Sequence, residues 1–256
     1  SIEQIPWDIT NAEIIFECTG NFKKKAEAAK HLKGAVKKVI ISAPSKDADA
    51  TVVYGVNHHL LNADHNIISI GSCTTNALAP ILKILNDNIG IESGYMTTVH
   101  SYTNDQQLLD APHKDLRRAR AAALSMIPTT TGAAKAVGEV MPELKGKLDG
   151  TSIRVPTPNV SLVDLTFQSK KPLTREAIND AMIKSSQGSM KGILDCSFDP
   201  CVSIDFNGSK FSSIVDLENT MVMGPNMAKV FSWYDNEMGF SYRMVDMALY
   251  MASKGI

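Results

Sequence analysis

Several things are scarce or missing in this sequence, and each absence narrows what the chain can be. It holds four cysteines, Cys18, Cys73, Cys196 and Cys201, and no Cys-x-x-Cys pair. That argues against a disulfide framework or a zinc site, so free thiols and no metal are expected. No apolar run approaches the ~20 residues that cross a bilayer. No basic segment followed by an apolar one opens the chain either, so neither a membrane span nor a signal peptide is expected, and the cytosol is the default address. Charge of one sign is also lacking: 26 basic and 27 acidic side chains leave a net charge of −1. No global field favours nucleic acid or an anionic membrane, and any anion binding must be local. Internal repeats, low-complexity tracts and a G-x-G-x-x-G ahead of a helix are absent too.

What is present is 256 residues, 44% hydrophobic, enough for one large or two ordinary cores. The chain is organised around Ile67-Ile68-Ser69-Ile70-Gly71-Ser72-Cys73-Thr74-Thr75-Asn76 and the apolar residues that follow at helical spacing. This reads as strand, tight turn, helix. Cys73 then sits at a helix N-terminus, where free N–H groups and the helix dipole favour the thiolate, which is the nucleophilic form. By itself a lone cysteine is more often a small buried apolar residue.

Upstream, Ala12–Gly20, Lys38–Pro44 and Thr51–Val56 read as short buried strands, with a helix over Lys24–Leu32. The alternation predicts a parallel α/β sheet. Thr19-Gly20, Ser42-Ala43 and Gly71-Ser72 fall at strand carboxyl ends, where such sheets bind ligands, although Gly and Ser also simply end strands. Gly94–Thr103 reads as a strand ending near His100, a residue type suited to general-base work near neutrality or to plain packing. Asn104–Thr131 is a long irregular segment with three arginines, Arg117, Arg118 and Arg120, which suits a functional or subunit-contact loop as well as a solvated face. Thr129–Gly132 ahead of Ala133–Val140 places hydroxyls at a helix start, as an anion site or an N-cap.

Arg154 lies among apolar residues in the strand Thr151–Thr157, so it should point toward an acid or a bound phosphate. Val160–Phe167 alternates as a strand, and Lys171–Gln187 is an amphipathic helix. Val202–Phe206, Ser213–Asp216 and Ala228–Tyr234 read as strands of a second, mostly antiparallel sheet. The final helix, Ser241–Ser253, carries Met244, Val245, Ala248 and Met251 on one stripe. The expected fold is therefore α/β, a partial Rossmann-type parallel sheet beside an α+β unit with a mostly antiparallel sheet.

Five segments in this order resemble one family. Ser72-Cys73-Thr74-Thr75-Asn76, Thr97-Thr98-Val99-His100, Thr131–Val137, Arg154-Val155-Pro156-Thr157 and Ser232–Glu237 are similar to phosphorylating glyceraldehyde-3-phosphate dehydrogenases, and the resemblance covers essentially the whole chain. It implies a Cys73 nucleophile, His100 as base, NAD (with NADP open) as cofactor, inorganic phosphate as co-substrate and a homotetramer. It further implies that Thr103 and Arg154 bind the substrate phosphate, that Ser72, Thr74, Thr131 and Gly132 bind the attacking phosphate, and that Arg118 serves both. Asn236 resembles the residue that orients the nicotinamide amide, with Thr19, Gly20 and Ser42 lining the cofactor crevice. On this basis residues 1–72, completed by a C-terminal helix over 237–256, form a partial dinucleotide-binding domain, and residues 73–236 a catalytic domain.

The chain departs from the family pattern at Ala77, where a second cysteine is frequent, at Phe240, where tyrosine is frequent, and at Ala111-Pro112, commonly Leu-Pro in members that prefer NAD. The family's first β-α-β unit, with its glycine-rich loop, is expected upstream of this sequence. Two other readings stay open: an erythrose-4-phosphate dehydrogenase, and a non-catalytic fragment unable to hold the dinucleotide.

Overall fold

A computed structural model describes residues 2–255. The chain divides into two compact units, Ser1–Ser72 with Ser241–Ile256, and Cys73–Phe240.

In the first unit, strands β1 (Ile14–Glu17), β2 (Lys38–Ile41), β3 (Ala50–Thr51) and β4 (Ile67–Ser69) form a sheet in the order β1-β2-β4-β3. Every pairing is parallel, with Val39 opposite Ile67 and Ile40 opposite Ile68. These residues are buried, the near-continuous apolar pattern of a parallel sheet covered on both faces. The strand expected over Thr51–Val56 stops after Thr51, because the chain reverses at Gly55 (φ +86°) and Val56 N–H bonds back to Val53 C=O. The helix expected over Lys24–Leu32 is shorter, α1 (Lys25–Ala28) followed by a 3-10 turn over Ala29–His31. Helix α5 (Met238–Lys254) carries a buried stripe of Met244, Met247 and Met251. Val245 is exposed and does not belong to it, since it lies one residue, about 100°, around the helix from Met244.

The second unit is built on helix α2 (Cys73–Asn88), strand β5 (Ile91–Ser101), strand β6 (Ile127–Thr130), helix α3 (Ala133–Val140), strands β7 (Leu148–Val155) and β8 (Ser161–Ser169), helix α4 (Arg175–Gln187), and strands β9 (Leu194–Ser197), β10 (Ser213–Met223) and β11 (Met227–Tyr234). The strands form one sheet in the order β6-β7-β5-β8-β11-β10-β9. Its pairings are antiparallel except β5 with β7 and β9 with β10. Helix α2 lies against this sheet between α3 and α4, which explains why Thr74 through Leu82 are all buried rather than one stripe of them.

Two edge strands, β6 and β9, were not expected. Pro128 sits in β6, where a residue without an N–H is tolerated because the strand is at the sheet's edge. Val202–Phe206 is not a strand. Ser203–Phe206 forms a single 3-10 turn, closed by Asp205 Oδ2 accepting the Val202 N–H at 2.7 Å.

Candidate active site

The second unit brings Cys73 and His100 together from two elements. Cys73 is the first residue of α2, and His100 is the penultimate residue of β5. Alternation along β5 sends Met96, Thr98 and His100 to the buried face. Cys73 Sγ lies 3.5 Å from His100 Nε2. His100 Nδ1 lies 2.7 Å from the Ser101 carbonyl oxygen, which can only accept, so the ring proton is assigned to Nδ1. Nε2 then turns a lone pair toward the thiol.

Arg154 stands directly opposite His100 in the β5–β7 register, which places its side chain beside the imidazole. Its Nη1 donates to Ser101 C=O and to Thr103 Oγ1, both at 3.1 Å, and lies 3.2 Å from His100 Nδ1. Arg154 Nε is buried and has no hydrogen-bond partner among the described residues. A guanidinium with an unused buried donor is suited to a bound oxyanion. Thr103 is thus in direct contact with Arg154.

Arg118 comes from the loop between β5 and β6. Its Nε donates to Thr129 Oγ1 at 2.9 Å and its Nη2 to Thr130 C=O at 3.2 Å, while Nη1 pairs with Asp105. Asp115 lies 3.6 Å from Nε and also accepts from the Thr129 hydroxyl at 2.7 Å. Thr131 and Gly132 follow β6 directly; Gly132 is the N-cap of α3, and Ala133 N–H donates to Thr131 Oγ1 at 3.2 Å. Asn236 is buried, and its Oδ1 accepts from Ser101 Oγ at 2.7 Å and Ser161 Oγ at 2.9 Å, which fixes the carboxamide.

The electrostatics differ from the expectation for a helix N-terminus. Burial pushes the Cys73 thiol up, against the downward pulls of the Thr74 hydroxyl, the Arg154 charge and the backbone N–H groups. Desolvation outweighs the helix start here, so Cys73 rests as a thiol. Burial likewise lowers His100 to about 4, helped by Arg154 and then Arg118, against the Ser101 hydrogen bond. The pair is thus a neutral thiol facing a neutral imidazole.

Tyr234 was not singled out beforehand. Its hydroxyl lies 2.9 Å from both Thr74 Oγ1 and Thr98 Oγ1, and its ring meets His100 edge-on at 5.9 Å. Burial pushes this phenol up. The alternation of β11, with Ala228, Val230, Ser232 and Tyr234 all buried, was the available signal for its inward position. The carboxylates that hold Arg118 had no such signal, because they come from irregular chain.

In the first unit, Thr19-Gly20 follows β1, Ser42 follows β2 and Ser72 closes the turn after β4. They fall at the carboxyl ends of three neighbouring parallel strands, the side on which such sheets take ligands. Gly20 has φ +73° and nothing within 4 Å of where a Cβ would stand. Among the described residues no cluster of side chains could hold a metal ion, and no helix is long and apolar enough to cross a membrane.

Fold and site together define a class: α/β proteins in which a cysteine at a helix start faces a neutral imidazole beside a guanidinium. Within that class, residues 72–236 match the family described as glyceraldehyde 3-phosphate dehydrogenase, C-terminal domain. Glyceraldehyde-3-phosphate dehydrogenase 1 of Bacillus cereus is 60% identical over 254 residues, covering 99% of this chain and 76% of the relative. The Geobacillus stearothermophilus enzyme is 57% identical over 255 residues, with coverage of 99% and 76%, and that of Xanthobacter flavus 56% over 252, with 98% and 75%. The chain belongs to the glyceraldehyde-3-phosphate dehydrogenase family.

Proposed function

We propose that the protein converts D-glyceraldehyde 3-phosphate and inorganic phosphate to 1,3-bisphosphoglycerate through a thioester on Cys73, with NAD as the hydride acceptor. The observation that carries this reading is the 3.5 Å approach of Cys73 Sγ to the unprotonated Nε2 of His100, with Arg154 and Thr103 alongside. His100 takes the thiol proton as sulfur attacks the aldehyde carbon, and returns it to the carbonyl oxygen to give the hemithioacetal. It then takes the hydroxyl proton as hydride leaves the same carbon, and the thioester remains on sulfur. Phosphate oxygen attacks that carbonyl, the C–S bond breaks, and Cys73 leaves as thiolate.

Two cationic groups suit two anions. Arg154 with Thr103 would hold the substrate phosphate. Arg118, with Ser72, Thr74, Thr131 and Gly132, would hold the attacking one, Arg118 serving both. The nicotinamide cofactor, when bound, supplies the hydride acceptor. Asn236 would orient its carboxamide, and Thr19, Gly20 and Ser42 would line its crevice; the open space at Gly20 fits this role. In this reading the parallel-sheet unit serves the dinucleotide, Cys73–Phe240 carries the chemistry, and the enzyme works as a cytoplasmic homotetramer.

The test is steady-state NADH formation from glyceraldehyde 3-phosphate with and without phosphate, set beside erythrose 4-phosphate. A preference for the first sugar, dependence on phosphate, and loss of all turnover in Cys73→Ala are expected. His100→Asn should lower kcat about 10²- to 10⁴-fold. A clear preference for erythrose 4-phosphate without phosphate dependence would overturn the assignment.

A further inference from the structure

A chain of polar groups in the first unit, centred on the buried side chains of Glu17 and His31, has no part in the chemistry above. Trp7 Nε1–H lies 3.1 Å from His31 Nδ1, and the indole can only donate, so Nδ1 accepts. The proton of the neutral ring is then on Nε2, which donates to Glu17 Oε2 at 2.8 Å. Oε1 of the same carboxylate accepts the Thr19 N–H at 2.9 Å and also the Thr19 hydroxyl. Thr19 Oγ1 in turn accepts from Asn21 N–H at 3.2 Å. The backbone carbonyl of Glu17 accepts the Ser42 N–H at 3.0 Å. The carboxylate thus ties down the turn after β1, while the main chain of the same residue meets the start of the turn after β2.

The side chains of Glu17 and His31 are 3% and 4% exposed. A buried carboxylate is expensive, and an apolar pair of the same shape would serve stability as well. Burial alone would raise its pKa, yet the hydrogen bonds from Thr19 and His31 outweigh it and hold the carboxylate below its ordinary value. What an ionised carboxylate does that an apolar residue cannot is accept on both oxygens at once. Here it turns both donors of Thr19 inward.

We propose that Glu17 is a positioning residue for dinucleotide binding, its carboxylate holding the Thr19-Gly20 turn in its receptive form through the Trp7–His31–Glu17 chain. This rests on the reading of that turn as part of the cofactor crevice. The chain has a built-in polarity. A glutamine at position 17 has one acceptor and one donor, so its amide N–H must oppose either the Nε2–H of His31 or the donors of Thr19. His31 cannot relieve the clash by switching tautomer while Trp7 donates to Nδ1.

The experiment uses Glu17→Gln, Trp7→Phe, their double variant and Glu17→Asp in the intact protein. It reads dinucleotide KM and kcat together with the rate of Cys73 alkylation by iodoacetate. Glu17→Gln should raise the dinucleotide KM about tenfold, as loss of an outer partner does at other sites, with kcat and alkylation unchanged. Adding Trp7→Phe frees the tautomer and should recover most of that loss, a rescue that a merely structural role would not produce. Glu17→Asp keeps the charge but is one methylene too short to span His31 and Thr19, and should raise KM by less than Glu17→Gln does. It decides the matter if the glutamine variant does not fold. Unchanged KM in the folded variants, or no rescue in the double variant, overturns the proposal. A wild-type protein with no dinucleotide binding would instead overturn the cofactor reading beneath it.

Discussion

Cys73 and His100 are both shifted by burial, in directions that keep both neutral. A thiol held up in this way should react with iodoacetate at a rate still climbing with pH where an ordinary thiol has begun to level off. Arg154→Met removes a charge that favours the thiolate, so it should slow alkylation at pH 7 further; a faster rate would mean that the guanidinium does not act on the sulfur. For His100 the sign follows from linkage. Its folded value is about 4, against ~6.5 in an unfolded chain. Between these values the unfolded chain binds a proton that the native protein refuses, so the contribution to stability is complete above about pH 6.5 and is lost as pH falls toward 4. The loss is roughly 3 kcal/mol. Urea titrations at pH 7 and pH 4.5 should therefore show a smaller acid loss in His100→Gln than in wild type. Equal losses would place the acid sensitivity elsewhere.

At the scale of the element, α2 carries Cys73 on its first residue, while Thr74 through Leu82 are buried against the sheet and two helices. Leu82 is fully buried on it, so Leu82→Ala should cost about 2–5 kcal/mol in urea unfolding. A cost under about 1 kcal/mol, as a surface site gives, would mean that the helix is not packed as described. What could be read ahead of the structure follows the same physics. β2, β4, β5, β8 and β11 were legible because β-branched or alternating apolar residues mark buried faces. β9 was not, since Leu194-Asp195-Cys196-Ser197 is short and has one apolar residue in the core. Val202–Phe206 imitated a strand, but Ile204 is exposed and Phe206 stacks on Trp233 at 5.7 Å. Cys73, His100 and Arg154 were visible because each sits at or near the end of a regular element. Asp105 and Asp115 were not, because only the fold of an irregular loop brings them to Arg118.

At the scale of the molecule, the two units are joined in sequence in an uneven way. Cys73–Phe240 is continuous, whereas the other unit needs residues from both ends of the chain. Met244, Met247 and Met251 are 7%, 0% and 1% exposed, so the first unit's core includes a helix that arrives last. Fragment 73–240 should therefore unfold cooperatively in urea and keep a Cys73 that iodoacetate modifies, yet bind no dinucleotide. Fragment 1–72 should show no cooperative transition until a peptide of residues 241–256 is supplied. The chain has two tryptophans, Trp7 and Trp233, one in each unit. In the intact protein Trp7→Phe leaves fluorescence that reports the Cys73–Phe240 unit, and Trp233→Phe leaves fluorescence that reports the other. Truncation after residue 240 should abolish the Trp7 transition and preserve that of Trp233. Loss of both transitions together would show that the Cys73–Phe240 unit cannot stand without the other.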